Sequence, residues 1–168
     1  MHLHYEINKR LSREHENIIA LLKRVRNFLH SYSLDQQPDW TAPESAKLLS
    51  DLKCGLETET TNHFAIEERE LFPLMESEGY GDLVEILLED HKVIVDLVAQ
   101  IKPVIVRALS GTGPLTQAEW RTFLTQGNAL VTELTNHAEK EEAGFVPTLE
   151  EILDEMQDKK ISQLYQLL

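Results

Sequence analysis

Residues 58–76 read TETTNHFAIEERELFPLME and residues 132–150 read TELTNHAEKEEAGFVPTLE, so one pattern occurs twice in the chain, 74 positions apart. Both copies contain Thr-Glu-x-Thr-Asn-His-x-x-x-Glu-Glu, and both have a proline six residues after the first glutamate of the final pair. A histidine four residues before a glutamate places an imidazole and a carboxylate one turn apart on one face of a helix. These side chains are either metal ligands or part of a solvated polar stripe.

The bulk composition is that of an ordinary globular protein. The 168 residues are 42% hydrophobic and 27% charged, which predicts a single domain over residues 1–168. The formal net charge of -13 argues against nucleic acid or an anionic membrane surface as a partner. The single cysteine, Cys54, excludes an internal disulfide and a thiolate metal cluster. The chain shows neither an apolar signal segment nor an apolar run of membrane-spanning length, so we expect a cytoplasmic protein.

Turn-forming stretches rich in proline or glycine divide the chain into long segments. The stretches are 35–43, 78–82 and 110–115. The segments that they separate, each with apolar residues at helical spacing, are 6–34, 43–77, 82–109 and 116–146. Four helices with short connections predict an all-α fold, an up-down-up-down antiparallel four-helix bundle over about residues 7–147. A short helical extension, 148–168, is expected to pack on the bundle or on a second copy of the chain in a homodimer.

Four prolines lie in or beside the predicted helices. Pro43 suits the first turn of the second helix. Pro73 and Pro147 occupy equivalent places just past the Glu-Glu pairs. We expect each to kink or end its helix, because proline lacks an amide donor and clashes with the preceding turn. Pro103 predicts a bend in the third helix.

The fourth helix carries two further signals. Thr116 followed by Glu119 has the pattern of a capping box, which predicts the start of this helix. Gly127 occupies a core-facing position where a side chain is expected. The glycine either opens space for a small-molecule channel or admits the bulky Trp120 or Phe123, and we favour packing.

Histidines on all four helices distinguish a metal site from a solvated stripe. By composition alone, about one His-x-x-x-Glu pair is expected in this chain, so the two pairs are weak evidence by themselves. However, each helix has one histidine on its apolar stripe: His15, His63, His91 and His137. The spans within the two hairpins are 48 and 46 residues, which predicts that the four imidazoles lie at similar heights in a bundle. Glu67 and Glu141 follow one turn away, and buried carboxylates are rare unless they are paired or bound to a cation.

Six candidate ligands suit two metal ions better than one. If Glu67 and Glu141 both bridge, each ion receives two imidazole nitrogens and two carboxylate oxygens. An octahedral ion then keeps up to two positions for an oxo or hydroxo bridge and an outside ligand. Mixed imidazole and carboxylate ligands favour iron, with manganese or zinc as substitutes. The alternative is a structural or partner-binding bundle with a polar layer and no metal.

The ordered set of motifs resembles the hemerythrin-like domain, also called the HHE cation-binding domain. The matching elements are Glu14-His15, His63-x-x-x-Glu67, Asp90-His91 and His137-x-x-x-Glu141. The resemblance covers roughly residues 7–150. Ferritin-like di-iron proteins use Glu-x-x-His instead, an order that no candidate ligand here follows.

This resemblance implies a non-haem di-iron centre in which Glu67 and Glu141 bridge the two metals. It assigns two of the histidines, His15 and His63, to one iron, and the remaining two, His91 and His137, to the other. Oxygen-carrying hemerythrins have a second histidine on the third helix, where this chain has Val95, and an aspartate five residues after the histidine of the fourth helix, where it has Glu142. The missing histidine implies an additional open position and weakens the expectation of reversible oxygen storage.

Two functions therefore stand as hypotheses. In the first, the di-iron site binds or senses a small diatomic ligand such as O2 or NO, or reports iron supply. In the second, it is a redox enzyme that acts on peroxide or NO or serves iron–sulfur cluster repair, as bacterial hemerythrin-like proteins do. No nucleophile or acid–base constellation appears outside the six residues, so enzymatic activity stays undecided.

Other acidic and histidine residues carry weaker signals. Glu59 and Glu133 precede the metal-site histidines by four residues, and they are extra ligands, acceptors for an imidazole N–H or solvent-facing groups. The second glutamates of the two pairs, Glu68 and Glu142, lie off the central stripe, where they are solvated or contact a ligand. The remaining histidines, which lack a stripe context, are expected to play no part: His2, His4 and His30.

Overall fold

A computed structural model describes residues 2–168, and these form five helices with no β-strand among them. Three of the helices are regular: α1 (Glu6–His30), α3 (Gly81–Leu109) and α5 (Glu155–Tyr165). The other two, α2 (residues 43–77) and α4 (residues 117–152), are long helical runs in which the helix widens locally. The predicted all-α class is confirmed.

The widened turns have the i→i+5 hydrogen bonding of a π-helix. In α2 the consecutive segments are Pro43–Thr58, the π-turn Glu59–His63, Phe64–Ile66, the π-turn Glu67–Leu71 and Phe72–Ser77. In α4 they are Gln117–Lys140, the π-turn Glu141–Phe145 and Val146–Ile152. Both copies of the repeated sequence therefore widen at the first glutamate of the Glu-Glu pair, and only the first copy has an extra π-turn ahead of its histidine. Single π-turns inside α-helices occur frequently at functional sites.

The prolines that follow these glutamates do not end their helices. Pro73 and Pro147 each stand in the first turn of the α-helical segment that follows a π-turn, and the helical runs continue to Ser77 and Ile152. Of the two expectations for these prolines, an end of the helix is wrong, and a kink stays a prediction. Because a π-turn shifts the hydrogen-bonding pattern by one residue, the missing amide of proline and its ring are accommodated at the junction. α3 likewise continues through Pro103, and its predicted bend stays a prediction.

The helix starts agree with the local signals, whereas the end of α1 does not. Thr116 accepts a hydrogen bond from the Glu119 amide, and the Thr116 amide donates to the Glu119 carboxylate, which confirms the capping box. Pro43 is the first residue of α2. α1 ends at His30 rather than at residue 34, because the chain turns here and the Trp120 indole donates to the Ser33 carbonyl at 2.8 Å.

The four long helices enclose two apolar clusters separated by a polar layer. α1 and α3 each pack against both α2 and α4. The larger cluster includes Leu22, Leu52, Ile101, Trp120 and Leu134. The smaller cluster includes Ile7, Leu11, Leu87, Phe145 and Leu149. Along α1 and α3 the buried histidine falls between the residues of one cluster and those of the other, so the polar layer crosses the middle of the core.

The C-terminal helix α5 packs on its own chain. The amide of Ile7 donates to the Asp158 carboxylate at 2.9 Å, and the Tyr5 hydroxyl donates to the Leu153 carbonyl at 2.5 Å. Ile161 and Tyr165 are buried in the smaller cluster. This arrangement corresponds to the first of the two expectations for the tail, and the homodimer stays a prediction.

The packing around Gly127 agrees with a structural role for this residue. A methyl group at position 127 would lie 3.3 Å from Cδ1 of Leu29 on α1. The absence of a side chain therefore admits Leu29, rather than Trp120 or Phe123 as the sequence suggested.

No helix in the described part of the chain is both long enough and apolar enough to cross a membrane.

Candidate metal centre

All six predicted ligands meet in the polar layer between the two apolar clusters. They are almost fully buried, and their ligand atoms form two overlapping groups of four in which every pair of atoms lies within 4.8 Å. The first group is His15, His63, Glu67 and Glu141, and the second is Glu67, His91, His137 and Glu141. The two glutamates belong to both groups, and each group has its own pair of histidines.

The two oxygens of each shared glutamate are divided between the histidine pairs. Glu67 places Oε1 at 3.0 Å from His63 Nε2 and Oε2 at 3.4 Å from His91 Nε2. Glu141 places Oε2 at 2.9 Å from His15 Nε2 and Oε1 at 3.4 Å from His137 Nε2. Both carboxylates therefore span from one histidine pair to the other, which is the arrangement that a bridging carboxylate requires.

Two of the three π-turns begin at the shared glutamates. Glu67 is the first residue of one π-turn and Glu141 is the first residue of the equivalent one. In each copy the glutamate directed at both pairs follows its histidine by four residues, so the two side chains share a helix face. In both copies this widened turn begins at the shared glutamate and ends two residues before the proline that follows.

Several buried polar atoms that face the centre of the site lack a hydrogen bond of good geometry. Both carboxylate oxygens of Glu67 and Glu141 are buried without a hydrogen bond, as are the Nε2 atoms of His91 and His137. His15 Nε2 faces His63 Nε2 at 3.1 Å, so a proton or a cation must lie between these two nitrogens. Burying such groups unpaired is costly, and bound cations remove the cost. The donor set of nitrogens and carboxylate oxygens fits divalent transition-metal ions.

The outer nitrogen of each imidazole faces a carboxylate. The pairs are His15 with Glu142 at 2.7 Å, His91 with Glu68 at 2.7 Å, His63 with Glu14 at 2.9 Å and His137 with Asp90 at 3.5 Å. An Nδ1–H that points to a carboxylate leaves the Nε2 lone pair directed at the site. Three of these outer carboxylates, Glu14, Glu68 and Glu142, therefore orient His63, His91 and His15 through hydrogen bonds, whereas Nδ1 of His137 lies near Asp90 without one.

These outer contacts follow the sequence repeat. The residue after each shared glutamate contacts a histidine of another helix: Glu68 contacts the histidine of α3, and Glu142 contacts the histidine of α1. The residue before each of those two histidines contacts a further one: Glu14 contacts the histidine of α2, and Asp90 contacts the histidine of α4. Sequence reasoning singled out Glu14 and Asp90 only as parts of motifs. Each of them directly precedes one histidine and contacts the histidine of a neighbouring helix. This position, one residue before a ligand on the adjacent helix, is the signal for the role.

A sequence profile described as Hemerythrin HHE cation binding domain matches residues 6–149. The chain belongs to this family. The resemblance seen in the motifs is thereby confirmed over nearly the whole bundle, and cation binding is the family property that the buried His and Glu groups fit. No curated protein matches the chain.

Within this hemerythrin-like domain the two equivalent glutamates ahead of the histidines differ. Glu59 is buried, 3% exposed, and its Oε1 has no hydrogen-bond partner, whereas Glu133 is exposed. The extra π-turn Glu59–His63 accounts for the difference, because one additional residue per turn rotates the preceding helix face by about 100° relative to His63. Burial raises the pKa of Glu59, which favours the neutral acid.

The remaining candidates lie away from the site. His2, His4 and His30 are exposed, as is Cys54. Val95, at the place of the additional histidine of oxygen-carrying hemerythrins, is 44% exposed and directed away from the core. Phe64 instead fills space beside the second histidine pair, with its ring stacked on His91 at 3.7 Å between centroids.

The metal-free protein should lose stability as the pH rises above 7. Burial lowers the pKa of His15, but the contacts with Glu141 and Glu142 outweigh it and raise that pKa to about 9. Because the folded-state pKa exceeds the ordinary value of 6.5, the stabilisation is fully present below pH 6.5 and is lost as the pH rises through 9. We expect the free energy of unfolding to fall by about 2 kcal/mol between pH 7 and pH 10.

Urea unfolding of chelator-treated protein at several pH values measures this loss. Glu142→Gln removes one of the two carboxylates that hold the proton on His15, and it should reduce the pH dependence. Glu139→Gln, an exposed carboxylate on α4, serves as the control and should leave it unchanged. A stability that stays level or rises from pH 7 to pH 10 contradicts the prediction.

Proposed function

We propose that this chain is a non-haem di-iron protein that binds or senses a small diatomic ligand, O2 or NO, or iron itself. One iron is held by His15 and His63, the other by His91 and His137, and both are bridged by the shared glutamates. The observation that carries the proposal is the division of the oxygens of Glu67 and Glu141 between the two histidine pairs.

The donor set favours iron over other cations, with manganese or zinc as substitutes and an oxo or hydroxo bridge between the ions. Bound iron would supply an exchangeable coordination position for a small ligand and a change of oxidation state that reports it. The protein's own residues hold and orient the imidazoles through the outer carboxylates, while Phe64 and Phe72 pack against His91 and limit the access of water.

A redox enzyme acting on peroxide or NO, or serving iron–sulfur cluster repair, is the second candidate, and buried Glu59 favours it. Reduction of peroxide or NO consumes protons, and a buried acid with a raised pKa is a suitable local donor. Repeated turnover with either substrate, lost in Glu59→Gln, would support the enzyme. An optical change that reverses when the ligand is removed would support the binding protein.

The wider architecture is also a proposal. We propose that the four long helices run up-down-up-down in one domain over residues 1–168. The support comes from the histidines of each hairpin, 48 and 46 residues apart in sequence, which meet in a single layer. A homodimer through the C-terminal tail would use its exposed end, where Leu167 is 83% exposed.

Metal analysis with optical spectra tests the proposed centre. Protein reconstituted anaerobically with Fe(II) should bind about two irons per chain, and exposure to O2 should produce an oxo-bridge charge-transfer band. Binding of less than one metal per chain would instead support a structural bundle with a polar layer. Spectra recorded after removal of O2 then separate reversible binding from consumption.

A further inference from the structure

A tyrosine from the C-terminal helix reaches the support of one histidine pair. Tyr165 is the last residue of α5 and is 1% exposed. Its hydroxyl donates a hydrogen bond to Oε2 of Glu14 on α1. Tyr165 lies beyond residues 6–149, the part of the chain that the family profile matches. The tail therefore adds a contact to the metal centre that the family motifs do not contain.

Glu14 is held by three donors at once. Its Oε2 accepts from Tyr165 and from Nδ1 of His63, the latter at 2.9 Å, and its Oε1 accepts from Nε of Arg10 at 2.9 Å. The Arg10 guanidinium also lies 3.5 Å from the centroid of the Tyr165 ring, a cation–π contact. Arg10, Glu14 and Tyr165 therefore form a closed set of contacts behind His63, and each member fixes the other two.

The other outer carboxylates are held differently. Glu68 and Glu142 are 44% and 39% exposed, so water surrounds much of each side chain. Asp90 accepts from the exposed Lys140 at 2.5 Å. Among the described residues only Glu14 accepts from a tyrosine. The tail therefore acts on the pair His15 and His63 and not on the pair His91 and His137.

We propose that Tyr165 is a positioning residue for the metal held by His15 and His63. By holding Oε2 of Glu14, it keeps the His63 Nδ1–H bonded and the Nε2 lone pair directed into the site. The inference rests on the proposed di-iron function. A hydroxyl bonded to a carboxylate is a strong, charge-assisted contact, and partners of metal-bound histidines typically change metal affinity by 10–100-fold.

The matched pair Tyr165→Phe and Tyr5→Phe tests the proposal. Both replacements remove one tyrosine hydroxyl that ties the tail to the bundle, but Tyr5 donates to the Leu153 carbonyl, which takes no part in the chain of contacts to His63. Co(II) titration followed in the visible region resolves the two sites in the full-length protein. Tyr165→Phe should weaken one site by about tenfold and leave the other unchanged, whereas Tyr5→Phe should leave both unchanged.

A spectroscopic signature separates positioning from loss of structure. In protein loaded with two ⁵⁷Fe(II) ions, Tyr165→Phe should shift one of the two Mössbauer doublets and preserve the other. Glu14→Gln should affect the same site. The double variant, Tyr165→Phe with Glu14→Gln, should lose less metal-binding free energy than the sum of the two single losses, because both residues act through His63.

Three outcomes would overturn the inference: unchanged affinity at both sites in Tyr165→Phe, equal weakening of both sites, or additive losses in the double variant. Failure of the parent protein to bind any metal is a different result, because it contradicts the proposed function itself.

Discussion

Replacing both Glu67 and Glu141 with glutamine should lower the iron content of reconstituted protein from about two per chain to below about half of one. Each side chain is fully buried and directs one oxygen at each histidine pair. The replacement keeps the shape of the side chains but removes two negative charges, and in each side chain it replaces one carboxylate oxygen with an amide nitrogen that does not bind a cation. The remaining imidazoles are separate neutral pairs, which hold a divalent ion weakly.

The control for this experiment removes the same number of charges elsewhere. Glu133 and Glu139 are exposed on α4, close in sequence to His137, and Glu133→Gln with Glu139→Gln should retain both irons. Iron is counted by elemental analysis after anaerobic loading and desalting. Two irons retained in the Glu67 and Glu141 variant would show that the metals lie elsewhere or that the imidazoles suffice.

Metal binding should raise the midpoint of thermal unfolding by on the order of 15–30 °C. The metal-free core contains two buried carboxylates with unpaired oxygens, and ions that bind only the folded state stabilise it by mass action. At a free metal concentration 1,000 times the dissociation constant, each site contributes about 4 kcal/mol. For a chain of this length, 1 kcal/mol raises the midpoint by about 2–4 °C.

Calorimetry of chelator-treated protein with and without Zn(II) measures this shift, since zinc avoids oxidation during heating. The Glu67→Gln, Glu141→Gln variant is the control, and its midpoint should move by no more than a few degrees. An equal shift in parent and variant would mean that zinc binds at the protein surface. No shift in either would contradict a metal site in the core.

The two halves of the centre share a ligand pattern but differ in their surroundings. The pair His15 and His63 lies near buried Glu59, and its Glu14 support is held by the tail. The pair His91 and His137 is packed against Phe64, which stacks on one ring and contacts the other edge-on. A duplicated sequence has thus produced two histidine pairs with different surroundings, and under the proposed function two bound ions would differ in their ligand preferences.

Local sequence signals predicted most of the helices and all six residues that meet in the core. The apolar stripes determined which face of each helix is buried, and the equal spans within the hairpins predicted that His15, His63, His91 and His137 share a layer. Predictions that depended on proline were less successful. Pro73 and Pro147 lie inside helices that widen into a π-turn just before them. Helical periodicity in the sequence does not indicate where a turn contains an added residue.

Glu59 and Glu133 show the same limit at single residues. Their equivalent places in the repeat predicted equivalent environments, yet only Glu59 is buried, because the extra π-turn rotates it toward the core. The spacing of residues is the same in the two copies, so it does not predict that the helix is rotated at Glu59 and not at Glu133.

The amino-acid sequence by itself predicted most of the helices and their buried faces, because these follow from periodicity within one segment of chain. The ordered set of His and Glu motifs along the four segments indicated the family and the candidate ligands. Only the tertiary structure decided which carboxylate supports which imidazole, where the helices widen and that Tyr165 reaches Glu14. Those features depend on the rotation and axial shift of helices that are distant in sequence. Rotation and shift result from packing the whole core at once, and no single segment specifies them.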